Sequence, residues 1–121
     1  MPTELDFRRF AALIVAVGTV SVILLGAPAS VPVPNGWDKV AHFVAFSLLT
    51  LSLWQATGGR MALFLIGAVI LFGALDEWRQ AYVPNRTSDA KDFLADLCAA
   101  LTTGALLFMQ RKTSCAESSP Q

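Results

Sequence analysis

No Asp, Glu, Lys or Arg interrupts the chain from Phe10 to Trp37, nor from Val40 to Gly59, from Met61 to Leu75 or from Leu97 to Gln110. The first two runs reach the length of about 18 uncharged, mostly apolar residues that a membrane-spanning helix needs. The third and fourth reach it only if polar groups at one end, Asp76 and Glu77 or Asp92 and Asp96, are accepted inside the protein. A helix of a water-soluble bundle would keep a polar face throughout, and Met61–Leu75 has none. The reading is an all-α, four-helix transmembrane bundle. It forms one domain over residues 1–121, with helices over about 7–25, 39–57, 61–80 and 89–109 and a polar, frayed C-terminal tail over 111–121.

Composition agrees. Hydrophobic residues make up 55% of the 121 positions and charged residues 15%, against about 25% charged in an ordinary soluble domain. Nine basic and nine acidic residues cancel, which leaves no surplus positive charge for a nucleic-acid partner. Two cysteines are too few to frame a small disulfide-rich fold.

Helix breakers separate the runs. Three prolines at 28, 32 and 34, followed by Gly36, end the first; Gly58-Gly59 closes the second; Pro84-Asn85 parts the last two. Asp38 stands where it would cap helix two, and Ser88 or Asp89 where either would cap helix four. A cleavable leader ending at Ala27-Pro28-Ala29 is the weaker reading of the N-terminus, since its apolar stretch is long and proline sits inside the motif. Arg8, Arg9, Arg60, Arg111 and Lys112 fall on one side of the membrane, and Lys39, Arg79, Arg86 and Lys91 on the other. The flank of the first helix sets the orientation, with both termini cytoplasmic. Trp37, Trp78 and Tyr82 then lie at the outer interface and Trp54 near the inner one, where aromatic belts form.

Six of the nine carboxylates gather at the outer end: Asp38, Asp76, Glu77, Asp89, Asp92 and Asp96, together with the only histidine, His42, and with Gln80 and Arg86. Asp38 and His42 are four apart, one above the other on a helix. Asp89, Asp92 and Asp96 share a face that continues into Ala99 and Thr103, while Gly73, Asp76 or Glu77, and Gln80 form a matching stripe. Carboxylates inside a bilayer are costly, so Asp96, the deepest, should face the bundle interior and have a partner. Arg79 and Lys91 read as solvated or snorkelling, and Cys98 as a small packing residue.

Asp38-Lys39-x-x-His42-Phe43-x-x-Phe46, Asp76-Glu77-x-x-Gln80-x-x-x-Pro84-x-Arg86, and Asp89-x-x-Asp92-x-x-x-Asp96 with Gly104, taken in that order, resemble the VanZ-like family of small bacterial membrane proteins. The resemblance spans about 37–104; Asn85 stands where the family commonly has Gly. It implies a multi-pass protein of the bacterial inner membrane and a role in the cell envelope. The family is linked to resistance to the glycopeptide teicoplanin, but no reaction is implied.

The residues themselves leave three functions open. In the first, the cluster binds a lipid-linked or anionic headgroup such as a cell-wall precursor, with Arg86 on phosphate and the carboxylates holding Mg²⁺ or Ca²⁺. In the second, the chain is an interaction or assembly subunit and the cluster is a structural ion-pair network. The third is a metal-assisted enzyme on a lipid-linked phosphate, with His42, held by Asp38, as its acid or base.

Overall fold

The structure, a computed structural model, describes residues 1, 3–26, 34, 36–84 and 88–117. It consists of four helices and, among the described residues, no strand: α1 (Glu4–Leu25), α2 (Trp37–Thr57), α3 (Ala62–Gln80) and α4 (Ala90–Glu117). The breaker segment 27–33 with Asn35, the turn residues 85–87 including Arg86, and the end of the tail at 118–121 lie outside the described residues.

Helix ends follow local chemistry. α1 begins three residues before the sequence reading places it, because Thr3-x-x-Asp6 is a capping box. The Thr3 hydroxyl accepts from the Asp6 amide at 3.2 Å, and the Thr3 amide donates to the Asp6 carboxylate at 3.0 Å. Asp38 does not cap α2. Gly36 occupies the N-cap at φ 92°, and Asp38 lies inside the first turn, where its charge opposes the helix dipole favourably. Gly58 closes α2 at φ 65°, a left-handed conformation that costs glycine nothing. Asp89 does cap α4, its carboxylate accepting from the Lys91 amide at 2.9 Å.

α4 does not fray at residue 109. It continues to Glu117 over 28 residues, which at 1.5 Å per residue is ~42 Å, longer than the ~30 Å hydrocarbon core. Nothing from Gln110 to Glu117 breaks a helix, and Arg111 ties the extension down by donating to the Gly59 carbonyl at 3.0 Å.

Three helices, α1, α2 and α4, are long and apolar enough to cross a membrane. The last turns of α3 carry Asp76, Glu77 and Arg79. Its apolar stretch therefore ends at Leu75.

The helices alternate in direction. Trp54 meets Phe108 edge-on at 5.1 Å while His42 meets Asp96, so α2 and α4 run parallel. Ile66 against Gly104 and Asp96 against Gly73 set α3 antiparallel to α4. α2 is the central element, packing on α1, α3 and α4. The core is small-residue-rich: Ala16, Phe46, Leu49, Val69, Ala99 and Ala100. At Gly104, an added Cβ would lie 2.5 Å from Ile66 Cδ1, so glycine permits the close approach of α3 and α4. Outside, the bundle shows large apolar side chains on every helix, among them Ile14, Val44, Phe64, Leu71 and Leu101. Cys98 is exposed with them and is not a packing residue: it lies one position short of the Ala99–Ala100 pair that meets the core. Exposed apolar residues around buried carboxylates are the arrangement expected of a chain whose solvent is lipid.

Candidate functional site

The regular heptad-like spacing of acids on α4 and their match on α3 bring the polar residues to one end of the bundle. Asp76, Glu77, Gln80, Asp92 and Asp96 are all buried there. Asp96 is fully enclosed at 0% exposure and has the partner its depth demands: Asp96 Oδ1 lies 3.0 Å from His42 Nδ1. Asp38 is therefore not the group that holds His42. Being in the first turn of α2, it projects outward, exposed, and pairs with Lys39 at 3.3 Å. The His42 ring is also fixed by Phe46, the two planes 6° apart with centroids 6.3 Å apart.

Glycine makes room for this acid. A Cβ on Gly73 would lie 3.1 Å from Asp96 Oδ2, 3.2 Å from Asp96 Cβ and 3.2 Å from Phe46 Cε1. The α3 backbone thus closes directly over the Asp96 side chain.

Two cations organise the remaining acids, and sequence reading assigned neither of them a place in the site. Lys39 Nζ lies 3.3 Å from Asp38, 3.3 Å from Asp89 and 3.1 Å from the buried Asp92, so one ammonium joins the starts of α2 and α4. Arg79 is not merely solvated. Its guanidinium donates through Nε and Nη2 to Asp76 Oδ1 at 3.2 and 2.9 Å, and through Nη2 to the Ile23 carbonyl at 3.4 Å. It thereby links the C-terminal ends of α3 and α1. Gln80 Nε2 completes the Asp76 shell, donating to Oδ2 at 2.8 Å. The Asp-x-x-Arg spacing of Asp76 and Arg79 on one helix was the available signal. Arg86 lies outside the described residues.

Glu77 faces the start of α4. Its Oε2 accepts from the Ser88 hydroxyl at 3.1 Å and from the Asp89 amide at 3.2 Å. Asp89 sits just before α4, and the Lys91 amide it accepts from, with Lys39 beside it, holds its carboxyl below the usual range.

Three buried carboxylate oxygens have no hydrogen-bond partner among the described residues. Asp92 Oδ1 still has its ion pair with Lys39, which leaves two, Glu77 Oε1 and Asp96 Oδ2, with neither kind of partner there. They belong to the same small group. One ligand atom each from His42, Glu77 and Asp96 lies within 4.8 Å of the other two, an arrangement that can hold a metal ion. Of the nine candidate residues read from sequence, eight are described: Asp38, His42, Asp76, Glu77, Gln80, Asp89, Asp92 and Asp96. Seven of them converge, and Asp38 joins only through Lys39 at the rim.

A family model described as VanZ/LLP1 matches residues 4–111. No curated protein and no solved structure matches the chain.

Proposed function

The chain belongs to the VanZ/LLP1 family of membrane proteins, and we propose that it binds the phosphorylated headgroup of a membrane lipid or lipid-linked cell-wall precursor at its polar end. A divalent cation would bridge phosphate and carboxylates. One observation carries the reading. Among the described residues the cluster holds more acceptors than its donors satisfy, leaving Glu77 Oε1 and Asp96 Oδ2 buried and unpartnered there. A buried acceptor without a donor costs about 1–3 kcal/mol, more when charged, so the described cluster favours a further cation or donor. A cation carried with a phosphate supplies that charge, and the end of a transmembrane bundle is where lipid headgroups lie. Arg86, close in sequence to Ser88 and Asp89, is the residue assigned to the phosphate. In this reading the protein sits in the bacterial inner membrane, with its polar end outside and both termini in the cytoplasm.

A structural role for the same residues has its own support. Lys39 and Arg79 are each paired with carboxylates from within the chain, as an assembly subunit with a self-contained ion-pair network requires. The two readings part on heating. Purified protein is unfolded thermally with polyprenyl phosphate, phosphatidylglycerol or phosphatidylcholine, each with and without Mg²⁺ or Mn²⁺. A ligand at 100 times its Kd stabilises the folded state by about 2.7 kcal/mol. A rise given by an anionic lipid with either ion but not by phosphatidylcholine, and lost in Arg86→Ala and Asp76→Asn, supports the headgroup site. No rise with any lipid, and variants that melt far below the parent, refute it in favour of the network.

A further inference from the structure

The proposed headgroup site takes a cation whose identity follows from its donors. The geometry points to His42, Glu77 and Asp96 as a three-ligand site for a first-row transition ion such as Zn²⁺ or Mn²⁺, in preference to Mg²⁺ or Ca²⁺. This rests on the reading that the polar end takes a cation and narrows it to three residues and a class of metal.

The separations suit an ion. His42 Nδ1 and Asp96 Oδ1 are 3.0 Å apart, and two donors each bound at ~2.1 Å to one metal stand roughly 3.0–3.4 Å apart. An ion would take the place of this hydrogen bond without moving either backbone, with His42 Nδ1 unprotonated and its proton on Nε2. All three ligand atoms lie within 4.8 Å of each other, so Glu77 closes the site by swinging its carboxylate inward by ~1–2 Å to reach the same bond length. That group is free to do so: Oε2 is anchored on Ser88 and Asp89, while Oε1 has no partner among the described residues. Asp96 Oδ2 is likewise unpartnered, and Asp96 is 0% and Glu77 7% exposed.

Charge and softness select the metal. Two carboxylates and a neutral imidazole carry −2, which a divalent ion cancels in a place where net charge is expensive. One of three donors is nitrogen, which suits zinc, manganese, iron or cobalt, whereas Mg²⁺ and Ca²⁺ favour all-oxygen shells. The ring is held by stacking on the fully buried Phe46, and the carboxylates by the groups around them, as outer partners orient ligands in metal sites. Three protein ligands leave a coordination position open. His42, with its side chain 18% exposed, marks the side from which water or a phosphate oxygen reaches it.

The test uses the full chain in phospholipid-free detergent micelles, treated with chelator and titrated with Co²⁺. Expected are ligand-field absorption bands growing to one equivalent, displaced by stoichiometric Zn²⁺ and unaffected by Mg²⁺ or Ca²⁺ at ~100-fold excess. His42→Ala and Glu77→Gln should each weaken Co²⁺ binding by more than about tenfold, while Arg111→Ala, at the opposite end of the bundle, leaves it unchanged. Glu77→Gln keeps the fold, because the glutamine carbonyl still accepts from Ser88 and the Asp89 amide, so a loss of Co²⁺ there reads the ligand and not the packing. Absent bands, equal affinity in the His42→Ala and Glu77→Gln proteins, or displacement by equimolar Mg²⁺ would overturn the assignment. Lipid is absent throughout, so the two proposals fail separately. Metal binding without lipid-induced stabilisation refutes only the headgroup reading. Lipid-induced stabilisation with no Co²⁺ site refutes only this one.

Discussion

Replacing Gly73 by Ala tests whether Asp96 is held by shape as well as by His42. The new methyl would sit 3.1–3.2 Å from Asp96 Oδ2, Asp96 Cβ and Phe46 Cε1. Each contact is a few tenths of an ångström too short, and both neighbours are 0% exposed with nowhere to retreat. Overpacking of that kind costs about 1–3 kcal/mol. Ala also gains up to ~1 kcal/mol of helix propensity over Gly, so the comparison must be with a glycine on the same helix that meets nothing. Gly67 is that control, with no atom within 4 Å of its added Cβ. The propensity gain cancels between the two, and Gly73→Ala should be less stable than Gly67→Ala by about 1–3 kcal/mol. Unfolding in mixed micelles with increasing SDS, followed by helical circular dichroism, reads the difference. Gly104→Ala should fall between them: its Cβ meets Ile66 Cδ1 at 2.5 Å, but that is the end of a half-buried side chain that can rotate. If Gly73→Ala is as stable as Gly67→Ala, the backbone of α3 does not close over Asp96 and the description of the site is wrong.

Three further outcomes follow from the same geometry. Arg79→Ala strips two donors from the buried Asp76 and should cost about 2 kcal/mol in the same assay, below the ~3–5 of a fully enclosed pair because the guanidinium side chain is 39% exposed; adding Asp76→Asn to it should recover part of the loss, and additive costs would show that the pair is not coupled. Arg111→Ala removes the bond to the Gly59 carbonyl and should lower stability by about 1–2 kcal/mol while leaving Co²⁺ binding at the other end intact, as parallel unfolding and absorption titrations would record. Because the folded-state pKa of Asp89 is held below the ordinary aspartate value of 3.8, its contribution to stability is complete above that value and is lost as pH falls through the lower folded one. Asp89→Asn, which keeps the α4 cap, should therefore flatten the acid limb of a stability–pH curve below about pH 4, and an unchanged limb would contradict the pairing with Lys91 and Lys39.

The membrane character, the four helices and the inward face of α4 were legible because each rests on local pattern: charge-free runs, breakers, and acids three and four apart. Side-chain partners were not. Sequence places Asp38 directly below His42 on one helix, yet i,i+4 proximity on a surface does not compete with a buried acid from across the bundle, and His42 turns to Asp96. Lys39 and Arg79 were read only as charges near an interface, since nothing local says that a lysine on α2 will meet Asp89 and Asp92 some fifty residues on. The end of α4 was misjudged for the opposite reason: its polar composition suggested fraying, while its helix-forming residues and the Arg111 contact across the α2–α3 turn keep it helical.

The two ends of the bundle are fastened by different means, and the contrast bears on function. At the end that carries the α1 N-terminus, arginines meet backbone. Arg111 bonds the Gly59 carbonyl, and Arg9 lies against Gly58, its Nη2 2.9 Å from where a Cβ would be. Cations there answer the partial negative charge of the α2 C-terminus and hold the helices without a single buried carboxylate. The polar end could have been closed as cheaply. Instead it places four acids and a glutamine inside the bundle, supplies Lys39 and Arg79 for part of that charge, and leaves His42, Glu77 and Asp96 as a group whose donors do not balance its acceptors. Fastening alone explains Asp76 and Asp92, which have cations of their own. Glu77 and Asp96 fasten with one oxygen each, on Ser88 and Asp89 and on His42, but fastening does not explain why each also buries a second oxygen with no partner among the described residues, a cost that apolar residues of equal volume often avoid. That excess makes the triad, rather than the ion pairs around it, the place to look for what this protein binds.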